Sequence, residues 1–120
     1  MSGKEKYTMT TKRDCREAGR IVLAHGEVTG HCHEVLLAKT GLPPSMDQAQ
    51  FFEMNGVREL IVLEPCVLRH QEHAPIALSP SRQEQVRQGD VLLQPTGPGT
   101  WTVIRQREWD GPEAWRQVAD

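Results

Sequence analysis

The chain has 120 residues, with 14 Lys plus Arg against 16 Asp plus Glu and a formal net charge of −2. That length is enough for one domain with a core of its own, and the near-neutral balance excludes the strong positive field of a general nucleic-acid binder. Three cysteines at unpatterned spacing argue against a disulfide framework and for a reducing, cytoplasmic setting.

Residues 1–18 are polar and charged, with only Tyr7, Met9 and Cys15 to bury, so they read as a flexible N-terminal arm ahead of a single β domain over 19–120. The first six residues are polar and lack the apolar stretch of a secretion signal. No apolar run approaches membrane-spanning length. Arg20 to His25 is β-branched and apolar, a buried strand. Glu27 to Leu37 alternates well enough for a second strand, with Thr29, His31, His33 and Val35 on one face and Cys32 on the other. Gly30 allows a bulge beside His31.

Ala38 to Met46, with its Gly, Ser and two prolines, is a loop. Asn55-Gly56 between apolar runs is a hairpin signal, because a type I′ turn needs positive φ at both central residues. The sequence therefore pairs Gln50–Met54 with Val57–Ile61. Pro65 has no N–H to give a ladder, so it stands at an edge, a bulge or between strands. Beyond it Glu64, Cys66, Leu68 and His70 share a face, and Ile61, Leu63 and Val67 are expected toward the core. Ala74–Leu78 is a short strand. Ser79–Gly89, polar and rich in Gln and Arg, predicts about two turns of surface helix or a flexible loop. Asp90–Gln94 is a strand, Pro95–Gly99 a turn, and Thr100–Trp109 the last long strand. A short helix from Pro112 to Val118 follows. The sum is about seven or eight short strands, an all-β chain forming a small antiparallel sandwich or a cupin-like barrel.

Function has to be read from the histidines. Four of the five lie in two clusters, Gly30-His31-Cys32-His33-Glu34 and Arg69-His70-Gln71-Glu72-His73. On a strand His31 and His33 would present two imidazoles side by side. If the clusters meet, His31, His33, His70 and His73 close a nitrogen site for a divalent transition metal: Zn, Fe, Ni or Mn. Glu34 and Glu72 stand beside these histidines as the candidate catalytic acids or bases. Cys32 alternates away from its neighbours and reads as core. Cys66 is a ligand only on condition that His70 is one. Trp101, Arg105, Arg107 and Trp109 share one face of the last strand and form a candidate binding surface for anions, bases or a partner. A homo-oligomer and a small-molecule ligand remain open as partners. A membrane is not expected, and nucleic acid is disfavoured by the net charge. The rival reading is a non-enzymatic module whose histidines are structural.

Two resemblances bear on this. Gly26, His31, His33 and Glu34 are similar to part of the first cupin motif, although four residues rather than five separate Gly26 from His31 and Glu34 follows without a spacer. That resemblance implies a metal-bearing β-barrel. The wider pattern over residues 20–110, Gly26-Glu-Val-Thr-Gly-His-x-His, then His70-x-x-His-Ala-Pro-Ile-Ala-Leu78, then Val103-Ile-Arg-Gln-Arg-Glu-Trp109, resembles a family of small uncharacterised bacterial and phage β-proteins. In that family a Pro-Gly turn joins the last two of these segments. Here residues 79–99 intervene and imply a rearranged strand order. The resemblance implies no known activity.

Overall fold

The computed structural model describes residues 11–26 and 29–106. Among them are ten strands and no helix: β1 Arg13–Asp14, β2 Ile21–His25, β3 Cys32–Leu37, β4 Ala49–Met54, β5 Val57–Val62, β6 Cys66–His70, β7 His73–Leu78, β8 Val86–Gln88, β9 Val91–Gly97 and β10 Thr100–Arg105. They form two antiparallel sheets, one of six strands in the order β1-β4-β5-β10-β9-β8 and one of four in the order β2-β3-β6-β7. The two sheets pack face to face as a sandwich. One cluster of buried side chains joins them, with Ile21, Leu23, Val35 and Leu68 from the smaller sheet meeting Phe51, Leu60, Leu93 and Trp101 from the larger. Each such side chain fully removed from water stabilises the fold by about 1.5–3 kcal/mol.

The Asn55-Gly56 hairpin forms as expected. Asn55 and Gly56 have φ of 56° and 81°, and Met54 pairs with Val57 across the turn. The prolines also fall where a missing N–H costs little. Pro65 sits between β5 and β6. Pro95 lies on β9 past the end of short β8, whose pairing stops at Leu93, so no ladder bond is lost.

Several expectations change. The segment 11–18 is not a free arm in its described part: β1 pairs with β4 through Arg13 and Glu53, and the Cys15 N–H donates to the Phe51 carbonyl at 3.0 Å. Residues 1–10 and the expected helix over 112–118 lie outside the described residues. No helix occupies 79–89. A bent loop leads into β8, where Val86 and Gln88 are buried and Arg87 is exposed, the period-two pattern of a strand. The face assignment around Pro65 is reversed. Cys66 and Leu68 point inward, while Val67 is only partly covered and Leu63 stays 47% exposed. The bend at Leu63–Pro65 resets the alternation carried from β5.

The two sheets meet along one side at β7 and β8, consecutive in the chain yet edges of different sheets. That meeting places the tight turn Gln88-Gly89-Asp90 under the ends of β3, β6 and β7. None of the described helices is long and apolar enough to cross a membrane, there being none.

Candidate functional site: a histidine cluster at the end of the sandwich

His33 lies on β3, alternating with buried Val35 on the inward face, and is 2% exposed. His70 ends β6 on the same inward face as Cys66 and Leu68. A register shift between Leu68 and His70 marks a local irregularity that re-aims its ring. His73 opens β7 and is the cross-strand partner of His70, so the pair flanks a tight hairpin rather than one helical turn. His31 precedes β3, just after Gly30 at φ 88°. The tip of the β6–β7 hairpin is held to β3 by the Cys32 N–H, which donates to Gln71 Oε1 at 2.9 Å.

The two clusters, far apart in sequence, therefore converge. Ring centres stand 4.3 Å apart for His33 and His70, 4.6 Å for His70 and His73, 5.9 Å for His33 and His73, and 5.7 Å for His31 and His70. Access is graded: His33 is buried, His70 half-buried and His73 exposed. Among the described residues no group of three or more His, Cys, Asp or Glu side chains stands ready in metal-ligating geometry. The rings meet by faces and edges.

Hydrogen bonds fix two of the rings. Gln88 Nε2 donates to the carbonyls of Leu68 at 3.0 Å and Ala74 at 2.9 Å. Its Oε1 is therefore the acceptor, and the His33 Nδ1–H donates to it at 2.9 Å. That leaves the lone pair of neutral His33 on Nε2, which faces Asp90 Oδ1 at 3.3 Å. His70 is fixed the other way, with Nδ1 accepting the Glu72 backbone N–H at 3.0 Å. Burial, and then the nearby His33, His73 and His31, hold the His70 pKa below its ordinary value. Burial pushes the Asp90 carboxyl up, but the Arg105 guanidinium, whose Nε donates to Asp90 Oδ2 at 3.0 Å, and a backbone bond outweigh it and hold the carboxyl below its ordinary value.

The other candidates divide. Glu72 Oε2 stands 3.5 Å from His31 Nδ1, at the cluster's rim. Glu34 lies on the opposite face of β3 and is engaged by Arg20, whose Nε and Nη2 donate to its two oxygens at 3.0 and 2.9 Å. It does not reach the imidazoles. Cys66 is not a ligand either. It is 1% exposed, burial pushes its thiol up to about 11 with the Glu64 charge adding to this, and it donates to the Glu64 carbonyl. Trp101 cannot present a stacking face. It is wholly buried, and its Nε1–H donates to the Glu84 carbonyl at 2.9 Å. Arg105 braces Asp90 and donates to the His25 carbonyl. Arg107 and Trp109 lie outside the described residues.

The sequence reading missed Gln88, Gly89 and Asp90. Gly89 adopts φ 61°, and a Cβ there would come within 2.8 Å of His73 Nε2 and 3.3 Å of His33 Cε1, so a residue without a side chain is needed where the turn passes under the rings. The one available signal was Gly-Asp closing a short alternating run. A separate cavity of about 440 Å³, lined by Arg58, Arg105, His25 and Glu17 among others, lies along β2. Its arginines are spent on the Leu23 and His25 carbonyls.

Fold and site together define a small two-sheet antiparallel protein with an end-of-sandwich imidazole cluster. The chain belongs to the family described as a domain of unknown function, DUF8820, whose model matches residues 4–82, about two thirds of the chain. The match spans all four clustered histidines and ends before Gln88 and Asp90. No curated protein and no solved structure matches the chain.

Proposed function

We propose that the protein binds one divalent transition-metal ion, of the Zn, Fe, Ni or Mn class, among His31, His33, His70 and His73. The observation that carries this reading is the convergence of imidazoles from two distant segments. Imidazoles sharing an ion at about 2.0–2.1 Å from each nitrogen have ring centres about 5 Å apart, and the spacings here run from 4.3 to 5.9 Å. The reading requires the more exposed rings to rotate so that their nitrogens turn to a common point. Gln88 supports the reading by holding His33 in the tautomer with Nε2 unprotonated, as bonds from neighbouring residues do at metal centres. With water or a small molecule completing the coordination, such a centre would act as a Lewis acid, with Glu72 at its rim as a candidate proton acceptor.

The test is elemental analysis of protein purified without a histidine tag, alongside the double variant His31→Ala/His33→Ala. Metal near one per chain in the parent and absent from the variant supports the reading. Metal-free parent protein that gains no thermal stability from added Zn, Ni, Mn or Fe(II) refutes it.

A second reading has its own support. The bonds from His33 to Gln88 and from Glu72 to His70 give one nitrogen of each ring a protein partner with no metal, which suits a non-enzymatic module, an oligomer subunit related to the bacterial and phage proteins it resembles. Unchanged stability in chelator favours that reading.

A further inference from the structure

We infer that the cavity along β2 is a binding site for a small organic monocarboxylate, held by Arg58. The site is separate from the histidine cluster and stands independently of the metal reading. It joins two adjoining hollows of about 440 and 300 Å³ that share Glu17, Val22 and Arg58 in their walls. Ligand pockets commonly span about 300–1,000 Å³.

Arg58 lies on β5 and is half-buried. Its Nη1 donates to the Leu23 carbonyl at 3.0 Å, and its Cζ lies 5.5 Å from the centre of the Phe51 ring. These two contacts hold the guanidinium in place. The Leu23 carbonyl occupies Nη1 alone, and the Nε–Nη2 edge has no protein acceptor among the described residues. That edge carries two parallel N–H groups, the fork that matches both oxygens of a carboxylate. Arg20 uses the same edge on Glu34, its Nε and Nη2 donating at 3.0 and 2.9 Å. Arg13, Arg20, Arg82 and Arg105 each have a carboxylate partner. Among the described residues Arg58 has none within ion-pair reach.

A second donor goes unpaired in the same place. Arg16 lines the smaller hollow and gives its two Nη atoms to the Pro44 and Ala49 carbonyls, each at 2.5 Å. Its buried Nε has no hydrogen-bond partner among the described residues. Unpaired buried donors are rare in folded proteins. Water would satisfy the N–H groups of both arginines yet leave two half-buried cations without a counter-charge, which an anion supplies.

The walls select the anion. Glu17 stands in both hollows and Asp14 in the smaller, and they oppose a second negative charge, so a monocarboxylate is preferred to phosphate. Val22, Ala24 and Val103 give apolar surface to a short carbon chain. The Leu23 and His25 carbonyls already accept from Arg58 and Arg105, so the edge of β2 does not invite an added peptide strand.

The test is NMR titration of the metal-free, isotope-labelled full chain with sodium butyrate, acetate and phosphate, at ionic strength held constant with NaCl. The Arg58 Nε–H signal should move saturably with butyrate. Butyrate should bind roughly threefold or more tighter than acetate, because its extra methylenes meet the apolar wall, and phosphate should bind more weakly than butyrate. Arg58→Gln should weaken butyrate binding roughly tenfold or more. Arg87→Gln removes the same charge from an exposed position on β8 and should stay within about twofold. A signal that does not saturate by about 50 mM butyrate, or Arg58→Gln binding like the parent, would overturn the inference. Equal movement with phosphate or chloride, an adventitious ion only, would overturn it too. If Arg58→Gln fails to fold, the Nε–H signal of the parent chain decides.

Discussion

Gln88→Leu isolates the bond that joins the two sheets beneath the histidines. Gln88 is 3% exposed and makes three side-chain hydrogen bonds, accepting from His33 and donating to Leu68 and Ala74 of the facing sheet. Leucine has similar volume, so the cavity contribution is small. The buried His33 Nδ1–H loses its acceptor, which costs about 1–3 kcal/mol. The two carbonyls lose ordinary bonds of about 0.5–1.5 kcal/mol each. The added apolar burial offsets about 1–2 kcal/mol. The net loss is about 2 kcal/mol. With a urea slope of about 1–3 kcal/mol/M, the unfolding midpoint should fall by roughly 1 M. The assay is urea denaturation followed by tryptophan fluorescence in chelator, so that metal does not contribute. Arg87→Ala, at the exposed position beside it on β8, is the control and should stay within about 0.5 kcal/mol. A midpoint shift below about 0.3 M for Gln88→Leu would show that Gln88 does not join the sheets as described.

Three further outcomes follow from the same geometry. Gly56→Ala forces a Cβ onto a φ of 81° and should cost about 1 kcal/mol or more, read from the same denaturation curve; an unchanged midpoint would contradict the turn. Iodoacetamide under native conditions should label half-buried Cys15 and spare buried Cys66, whose thiol stands at about 11; mass spectrometry of the peptides decides, and equal labelling would contradict that burial. Because His70 titrates below its ordinary 6.5 in the folded chain, the unfolded chain takes up that proton first. The His70 contribution is therefore fully present above about 6.5 and declines as pH falls from there toward the lowered folded value. Metal-free melting temperature should drop between pH 7.5 and 5.5, and less steeply in His70→Phe; equal slopes would count against the burial of the ring. Asp90, held below its ordinary 3.8, keeps its contribution through that window and loses it only at lower pH.

Much of the scaffold is written locally. Asn55-Gly56 demands its turn whatever surrounds it, and the β-branched run at Ile21–Leu23 has nowhere to go but the core. The meeting of His31 and His33 with His70 and His73 follows from two short clusters on inward strand faces, one at a strand start and one around a hairpin. What stayed hidden depends on tertiary register. Gln88 is a polar residue at an inward strand position, so β8 looks like part of a surface helix or loop, and its value comes from His33 and the Leu68 and Ala74 carbonyls of another sheet. Asp90 matters because the β8–β9 turn lands under His33, which no local pattern announces. The phase of β6 changes at the Leu63–Pro65 bend, and Trp101 drops out of the candidate binding face because it turns inward to the Glu84 carbonyl, 17 positions away.

The most direct test of the central claim is optical titration of metal-free chain with Co(II) at neutral pH. The account predicts visible bands from protein-bound Co(II) that saturate at one equivalent per chain, are lost in His33→Ala, and come with a rise in melting temperature. Bands that fail to appear, or that grow without saturation and survive in His33→Ala, would contradict it.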